Sequence, residues 1–94
     1  MSTLRLTGHI DVPPDRLAAV RAALPEHIRL TRAEPGCLRF EVAPDPAVAG
    51  RFRVDELFAS RADFDAHQAR AAASRWAGVT NGIARCYRIE EVAG

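Results

Sequence analysis

Ninety-four residues make one domain, expected to span 1–94, and a chain of this size buries only about 60 to 65% of its extended surface, so its own core is modest. Thirteen basic side chains against 12 acidic ones, interspersed to a net charge of +1, leave no electrostatic footprint for nucleic acid or an anionic membrane. All the basic residues are Arg and alanine is abundant, a bias that a GC-rich genome explains without any functional arginine program.

No amino-terminal apolar run resembles a signal peptide, and no stretch approaches the roughly 20 apolar residues of a membrane span, so a cytoplasmic protein is expected. Cys37 and Cys86 stand far apart without CxxC spacing. They are expected to be small buried or half-buried thiols, neither a zinc knuckle nor a dithiol pair.

In chain order, Leu4, Leu6, Gly8, Ile10 and Val12 alternate with Thr3, Arg5, Thr7, His9 and Asp11, the pattern of a half-buried strand. Pro13-Pro14 ends it and suits the first turn of a helix, where Asp15 complements the positive end. Leu17, Val20, Leu24, Ile28 and Thr31 then recur at helical spacing. Pro25 deletes one backbone hydrogen bond from that helix, so a kink is expected there, with the helix ending before Pro35. Pro35-Gly36 is a turn, and Gly36 suits the positive φ that a helix exit often needs.

A second strand is predicted from Cys37 to Val42, with Leu38, Phe40 and Val42 on its apolar face. The segment 44–50, rich in proline and ending in glycine, joins it as a hairpin to a third strand. There Phe52, Val54, Glu56 and Phe58 share one face, and Arg53, Asp55 and Leu57 the other. Ser60 with Asp63 matches a capping box, which starts the second helix at Arg61 and puts Phe64, His67 and Ala71 on one face. Trp76 and Val79 belong to a last short helical turn before Asn81-Gly82. The tract from Ile83 to Val92 is β-prone but alternates poorly, as in a strand partly covered on both faces. The order β-α-β-β-α-β is the split βαβ of ferredoxin-like α+β folds, an antiparallel sheet with both helices on one face. The opposite face, carrying Arg5, Thr7, His9, Arg39, Glu41, Arg53 and Asp55, is left for solvent or a second subunit.

Glu56 and His67 are the odd members of two apolar faces. A buried carboxylate needs a donor, water or a raised pKa, and His67 is the donor that the pattern places nearest. Spacing alone allows both a structural pair and a small-molecule pocket with one proton acceptor. Phe40, Phe52, Phe58 and Phe64 are each expected in the core, while Trp76, in an irregular segment, suits either the core or the wall of a cavity. His9 and His27 sit among polar neighbours and are expected in solvent. No HExxH or carboxylate cluster suggests a metal, no glycine-rich phosphate loop suggests a nucleotide, and Ser/His/Asp catalysis lacks a nucleophile elbow.

The tract Glu34-Pro35-Gly36-Cys37-Leu38, the strand ending near Glu56, and then Phe64 and His67 resemble the antibiotic biosynthesis monooxygenase family, including its quinol monooxygenase-like members. The resemblance covers nearly the whole chain. It implies a ferredoxin-like subunit that pairs sheet to sheet into a homodimeric α+β barrel. It also implies, for some members, oxygenation without a cofactor, in which a deprotonated phenol, anthrone or hydroquinone itself reduces dioxygen. Transferred here, His67 takes the base or anion-positioning role, Glu56 orients it, Phe40, Phe52, Val54, Phe64 and Trp76 line the walls, and Gly8 leaves room beside the first strand. The chain lacks the second His that many relatives place after the helix His, and Gly8 stands where haem-degrading relatives carry Asn. The second departure speaks against haem breakdown. The expected protein is a monooxygenase of a quinol-like or polyphenolic molecule; a ligand-binding or isomerising protein and a purely structural dimerisation domain are the alternatives.

Overall fold

The computed structural model describes residues 2–93, so Met1 and Gly94, the two ends of the predicted domain, lie outside the described residues. Four strands, β1 (Ser2–Asp11), β2 (Cys37–Pro44), β3 (Arg51–Phe58) and β4 (Ala84–Ala93), form one antiparallel sheet in the order β2-β3-β1-β4. Helices α1 (Leu17–Arg32), α2 (Arg61–Ala72) and the short α3 (Arg75–Thr80) complete the ferredoxin-like α+β arrangement, with a single 3-10 turn at Pro14–Arg16 leading into α1.

The alternation in β1 and β3 decides the packing. Leu4, Leu6 and Ile10 on β1 and Phe52, Val54 and Phe58 on β3 turn inward and join Val20 and Leu24 of α1 and Phe64 of α2 in one core. Full burial of each such side chain contributes about 1.5–3 kcal/mol. The outer sheet face carries ion pairs instead, Arg5 and Arg39 both on Asp55, Arg51 on Asp11 and Arg53 on Asp45. Exposed pairs of this kind are each worth at most about 1 kcal/mol, so they keep that face soluble more than they hold the fold. His9 is half-buried among them, 3.7 Å from Asp11.

Local chemistry accounts for the helix boundaries. The Asp63 amide donates to the Ser60 hydroxyl at 3.1 Å, and that hydroxyl donates to the Asp63 carboxylate at 2.9 Å, which starts α2 at the expected residue. α1 runs without interruption through Pro25 from Leu17 to Arg32, its inner stripe continuing in phase on both sides of the proline. Gly36 does not take a positive φ. It is small for another reason: a Cβ at Gly36 would run into the Asp63 side chain, so it lets the α1–β2 turn lie against the start of α2.

The edge strands depart from the sequence pattern. A register shift between Cys37 and Arg39 breaks the alternation of β2 and turns Leu38 outward, 57% exposed, while Phe40 and Val42 point inward as predicted. β4, expected to be partly covered on both faces, is exposed at each residue from Ala84 to Val92, with only Arg85 and Tyr87 reaching the cavity beneath the helices. Cys86 is accordingly exposed, whereas Cys37 is half-buried.

Gly8 sits where β4 passes closest. It has φ of 150° and lies opposite Tyr87, and a Cβ there would collide with the Cys86 carbonyl. Gly8→Ala should therefore cost about 3 kcal/mol of unfolding free energy, from strained backbone and displaced β4 together. Urea denaturation measures the loss, and an unchanged midpoint would contradict this account of the glycine.

Candidate functional site

Period-2 alternation places Glu56 on the helix-facing side of β3, directly between Leu6 of β1 and Phe40 of β2. Helical spacing places His67 on the inner side of α2, above it. Both are buried, at 7% and 3% exposure. His67 Nε2 lies 3.8 Å from Glu56 Oε1, too far for a hydrogen bond, and that oxygen has no partner.

The partner of His67 is Glu34, just past the end of α1. The Nδ1 atom lies 3.0 Å from Glu34 Oε1, and Arg70 donates from Nε to Glu34 Oε2 at 2.6 Å and from Nη2 to Thr31 at 2.9 Å. A carboxylate held by Arg70 can only accept, which keeps the imidazole proton on Nδ1 and leaves the Nε2 lone pair toward Glu56. Burial, the largest influence, and the nearby Arg70 depress the His67 pKa, with Glu34 opposing them, so the ring is a neutral base at neutral pH. Burial, reinforced by Glu34 and Asp55, pushes the Glu56 carboxyl up to about 7.

Around this pair lies a cavity of about 220 Å³. Leu6, Glu56 and, from β4, Arg85 and Tyr87 form its sheet side; His67, Gln68, Ala71 and Ala72 of α2 with Trp76 and Ala77 of α3 form its helical side. The alanines that follow His67 leave the volume that larger side chains would fill. Trp76 is held in place from its own helix, where Thr80 caps its carbonyl at 2.7 Å and in turn accepts from Arg85 at 3.2 Å. Burial pushes the Tyr87 phenol up to about 12, so it remains a neutral hydrogen-bonding group although 40% of the residue is exposed.

His27, expected in solvent, is instead 5% exposed and lines the same cavity from α1. Its ring stacks on Trp76 at 4.7 Å and meets Phe40 edge to face at 5.3 Å. Burial first, then repulsion from His67 whenever that ring is protonated and from the Arg70 guanidinium, depresses its pKa to about 4. His27 lies three residues after Leu24 and four before Thr31, both buried, so its helical spacing held the signal that its polar neighbours masked. Glu34 carried no such signal, because it lies in a turn, where periodicity says nothing.

Of the residues predicted for a site, Glu56, His67 and Trp76 come together on the cavity. Phe40 stands behind it against both imidazoles, with ring centres 5.3 Å from His27 and 5.8 Å from His67. Phe52, Val54 and Phe64 are core residues outside the lining, and Gly8 serves the close pass of β4. Phe58, read as core alone, packs on His67 at 4.9 Å. Among the described residues no group of three or more His, Cys, Asp or Glu is placed to hold a metal ion, and no helix is long and apolar enough to cross a membrane.

The fold and the cavity define a small ferredoxin-like α+β domain with a buried carboxyl group and a Glu-held imidazole under its helices. Residues 3–78 match the family model of the antibiotic biosynthesis monooxygenases, and the chain belongs to that family. Solved structures share the fold. A Bacteroides thetaiotaomicron protein of unknown function, described as a possible oxidoreductase, superposes with a TM-score of 0.83 at 17% identity, covering 97% of this chain and 98% of its own. A Nitrosomonas europaea protein described as a candidate antibiotic biosynthesis monooxygenase gives 0.80 at 22% identity, covering 98% and 89%. One from Deinococcus radiodurans with the same description gives 0.78 at 19%, covering 97% and 91%. Among curated proteins no sequence match is found.

The buried groups make stability depend on pH with opposite signs. Glu56 holds its proton more tightly in the folded state, near 7 against an ordinary 4.5, so its contribution is full below 4.5 and is lost as pH rises through 7. His27, at about 4 against 6.5, resists protonation when folded, so its contribution is full above 6.5 and is lost as pH falls toward 4. Glu56→Gln should be more stable than the parent above pH 7, by on the order of 3 kcal/mol, and should lose that advantage by pH 4.5. Urea denaturation across this range checks it; a pH-independent difference would show that Glu56 is not held protonated.

Proposed function

We propose that the protein is a cofactor-independent monooxygenase of a small quinol-like phenol, with His67 as the base and Glu56 as the group that orients the substrate hydroxyl. The observation that carries this reading is the His67 imidazole, fixed through Nδ1 by Glu34 and with Nε2 3.8 Å from the Glu56 carboxyl, both residues lining one cavity. A phenolic hydroxyl between the two donates to Nε2 and meets Glu56 with its oxygen, the reach a general base requires.

Proton transfer to His67 leaves an electron-rich phenolate against apolar walls, with the imidazolium stabilised by Glu34. Its ring carbon forms a bond to dioxygen, and the resulting peroxide loses water. For a hydroquinone the balance is hydroquinone plus dioxygen giving hydroxyquinone plus water, all four electrons coming from the substrate. A proton-relocating isomerase would also use two such groups in one cavity; oxygen consumption separates the two readings.

The subunit is further proposed to act as a cytoplasmic homodimer. Ile89 and Val92 are large apolar side chains left 47 and 38% exposed on β4, an edge strand that a second copy would cover. Both thiols are free, as suits a reducing compartment.

Metal-free protein given hydroquinones should consume oxygen above background, and His67→Ala should lower the rate by about 100-fold or more. An oxygen electrode reads this directly; no uptake, or uptake indifferent to His67, would sink the oxygenase reading. Sedimentation at micromolar concentration should give a dimer, and a stable monomer would exclude the pairing.

A further inference from the structure

The cavity has a buried floor and an open rim. Leu6, His27, Glu56 and His67 form the floor, while Gln68, Ala72, Arg85 and Tyr87 are exposed at the rim. Arg85 is the one arginine of the lining, and a guanidinium stays charged at any pH the protein meets. The proposed reaction gives it no part.

Two observations tie Arg85 to the cavity rather than to bulk solvent. It pairs with Ile10 across β1, and Tyr87 pairs with Gly8, so both side chains lie on the helix-facing side of β4. Its Nη2 also donates to the Thr80 hydroxyl at 3.2 Å, and that hydroxyl, on a residue only 1% exposed, donates to the Trp76 carbonyl at 2.7 Å. The guanidinium is thereby fixed to the buried end of α3, next to the tryptophan that walls the cavity.

That bond leaves most of the guanidinium donors unused. Arg5, Arg39, Arg51, Arg53 and Arg70 each hold a carboxylate, whereas Arg85 has none among the described residues. The floor and the rim are also electrically distinct. Glu56 pairs with Leu6 on β1 and Arg85 with Ile10, four residues apart, an offset of about 13 Å along the strand. Tyr87 stands between them: burial is the main influence on its phenol, and after it come Arg85, which lowers its pKa, and Glu56, which raises it.

We infer that Arg85 is a substrate-recognition residue, and that the ligand is a phenol bearing a carboxylate, its hydroxyl entering toward Glu56 and His67 while its acid group stays at the rim on the guanidinium. A guanidinium fork matches a carboxylate with two parallel hydrogen bonds. Holding the acid at the rim leaves its charge partly hydrated, where the floor would bury it against Glu56. This rests on the cavity being the substrate site, and it adds a charge to the class of phenol that site takes.

The test is an anaerobic NMR titration of the metal-free protein, following amide shifts around His67 and Tyr87. The probes are gentisate and homogentisate, hydroquinones with a carboxylate and a carboxymethyl group, each against its primary amide. At least one acid should bind about tenfold tighter than its amide at low salt, and the advantage should shrink as salt is raised. Arg85→Gln should reduce it to about twofold or less, and Arg85→Lys, which keeps the charge and loses the fork, should retain part of it. Arg88→Gln, on the outer face of the same strand, should leave it intact. Because Arg85 lies outside the core, its variants should keep the fold, which the same spectra report.

Equal affinity for acid and amide in both pairs, an advantage that survives Arg85→Gln, or one lost equally in Arg88→Gln would each overturn the inference. Its failure is distinguishable from that of the reading beneath it. Hydroquinone bound near His67 and oxidised with a His67 dependence, but no advantage for either acid, removes only the role of Arg85. No binding of any of these phenols near His67 removes the substrate site and this inference together.

Discussion

A carboxylate locked into the apolar face of a sheet is the constraint from which the rest of the site follows. β3 is hydrogen-bonded on both sides, and its register sets Glu56 opposite Leu6 and Phe40. A one-residue slip would release Glu56 to solvent, but it would bury Arg53 and Asp55 and expose Phe52, Val54 and Phe58. Those aromatic and branched side chains outweigh one acid, so the sheet holds Glu56 inside. The helical layer then has two ways to accommodate it: a hydrogen-bond donor in contact, or space. α2 supplies space, because Ala71 and Ala72 follow His67 where larger residues would close over the sheet, and the imidazole stops short of contact at 3.8 Å.

His67 is held back by its other nitrogen. His67 and Arg70 are three residues apart and so share a face of α2, which lets Glu34 take one with each carboxylate oxygen. Arg70 also reaches Thr31, so the last turn of α1, Glu34 two residues beyond its end and the later half of α2 form one polar latch. That latch fixes the ring of the buried histidine through its Nδ1 atom. Without Glu34 the Nδ1 proton would have no assigned acceptor, and either nitrogen could face the cavity. Gly36 belongs to the same device, since its lack of a side chain lets the α1–β2 turn approach Asp63 at the start of α2.

Much of this was legible from spacing alone, for a physical reason. Elements packed on both flanks obey strict periods, so Phe52, Val54, Glu56 and Phe58, and then Phe64 and His67, point where their alternation says. Legibility fails where a period is broken or a polar group is drawn inward by a specific neighbour. Leu38 faces outward because a register shift intervenes at the β2 edge. β4 could not be assigned its cover, because whether an edge strand is covered depends on what lies beyond the subunit. His27 is buried for its faces against Trp76 and Phe40, and a pattern that counts imidazole as polar misses it. Glu34 is invisible to any period, because its position comes from a turn and its role from the two side chains that turn brings it to.

The same geometry limits the chemistry available. Besides its aromatic walls, the cavity offers the His67 imidazole held through Nδ1, one carboxyl that titrates near neutrality and a second, neutral imidazole, groups that can move or hold protons. None of these groups supplies electrons. Under the proposed reaction the substrate must therefore be both acid and reductant, and the protein contributes by making its anion in a place where dioxygen, being apolar, can also enter. A wet, cationic site would stabilise the phenolate too well to react. A fully dry one would prevent its formation. An acid 3.8 Å from a neutral imidazole whose charge, once it takes a proton, is balanced from behind by Glu34, lies between those extremes. On this reading, the unsatisfied oxygen of Glu56 is the part of the core that folding leaves for the ligand to complete.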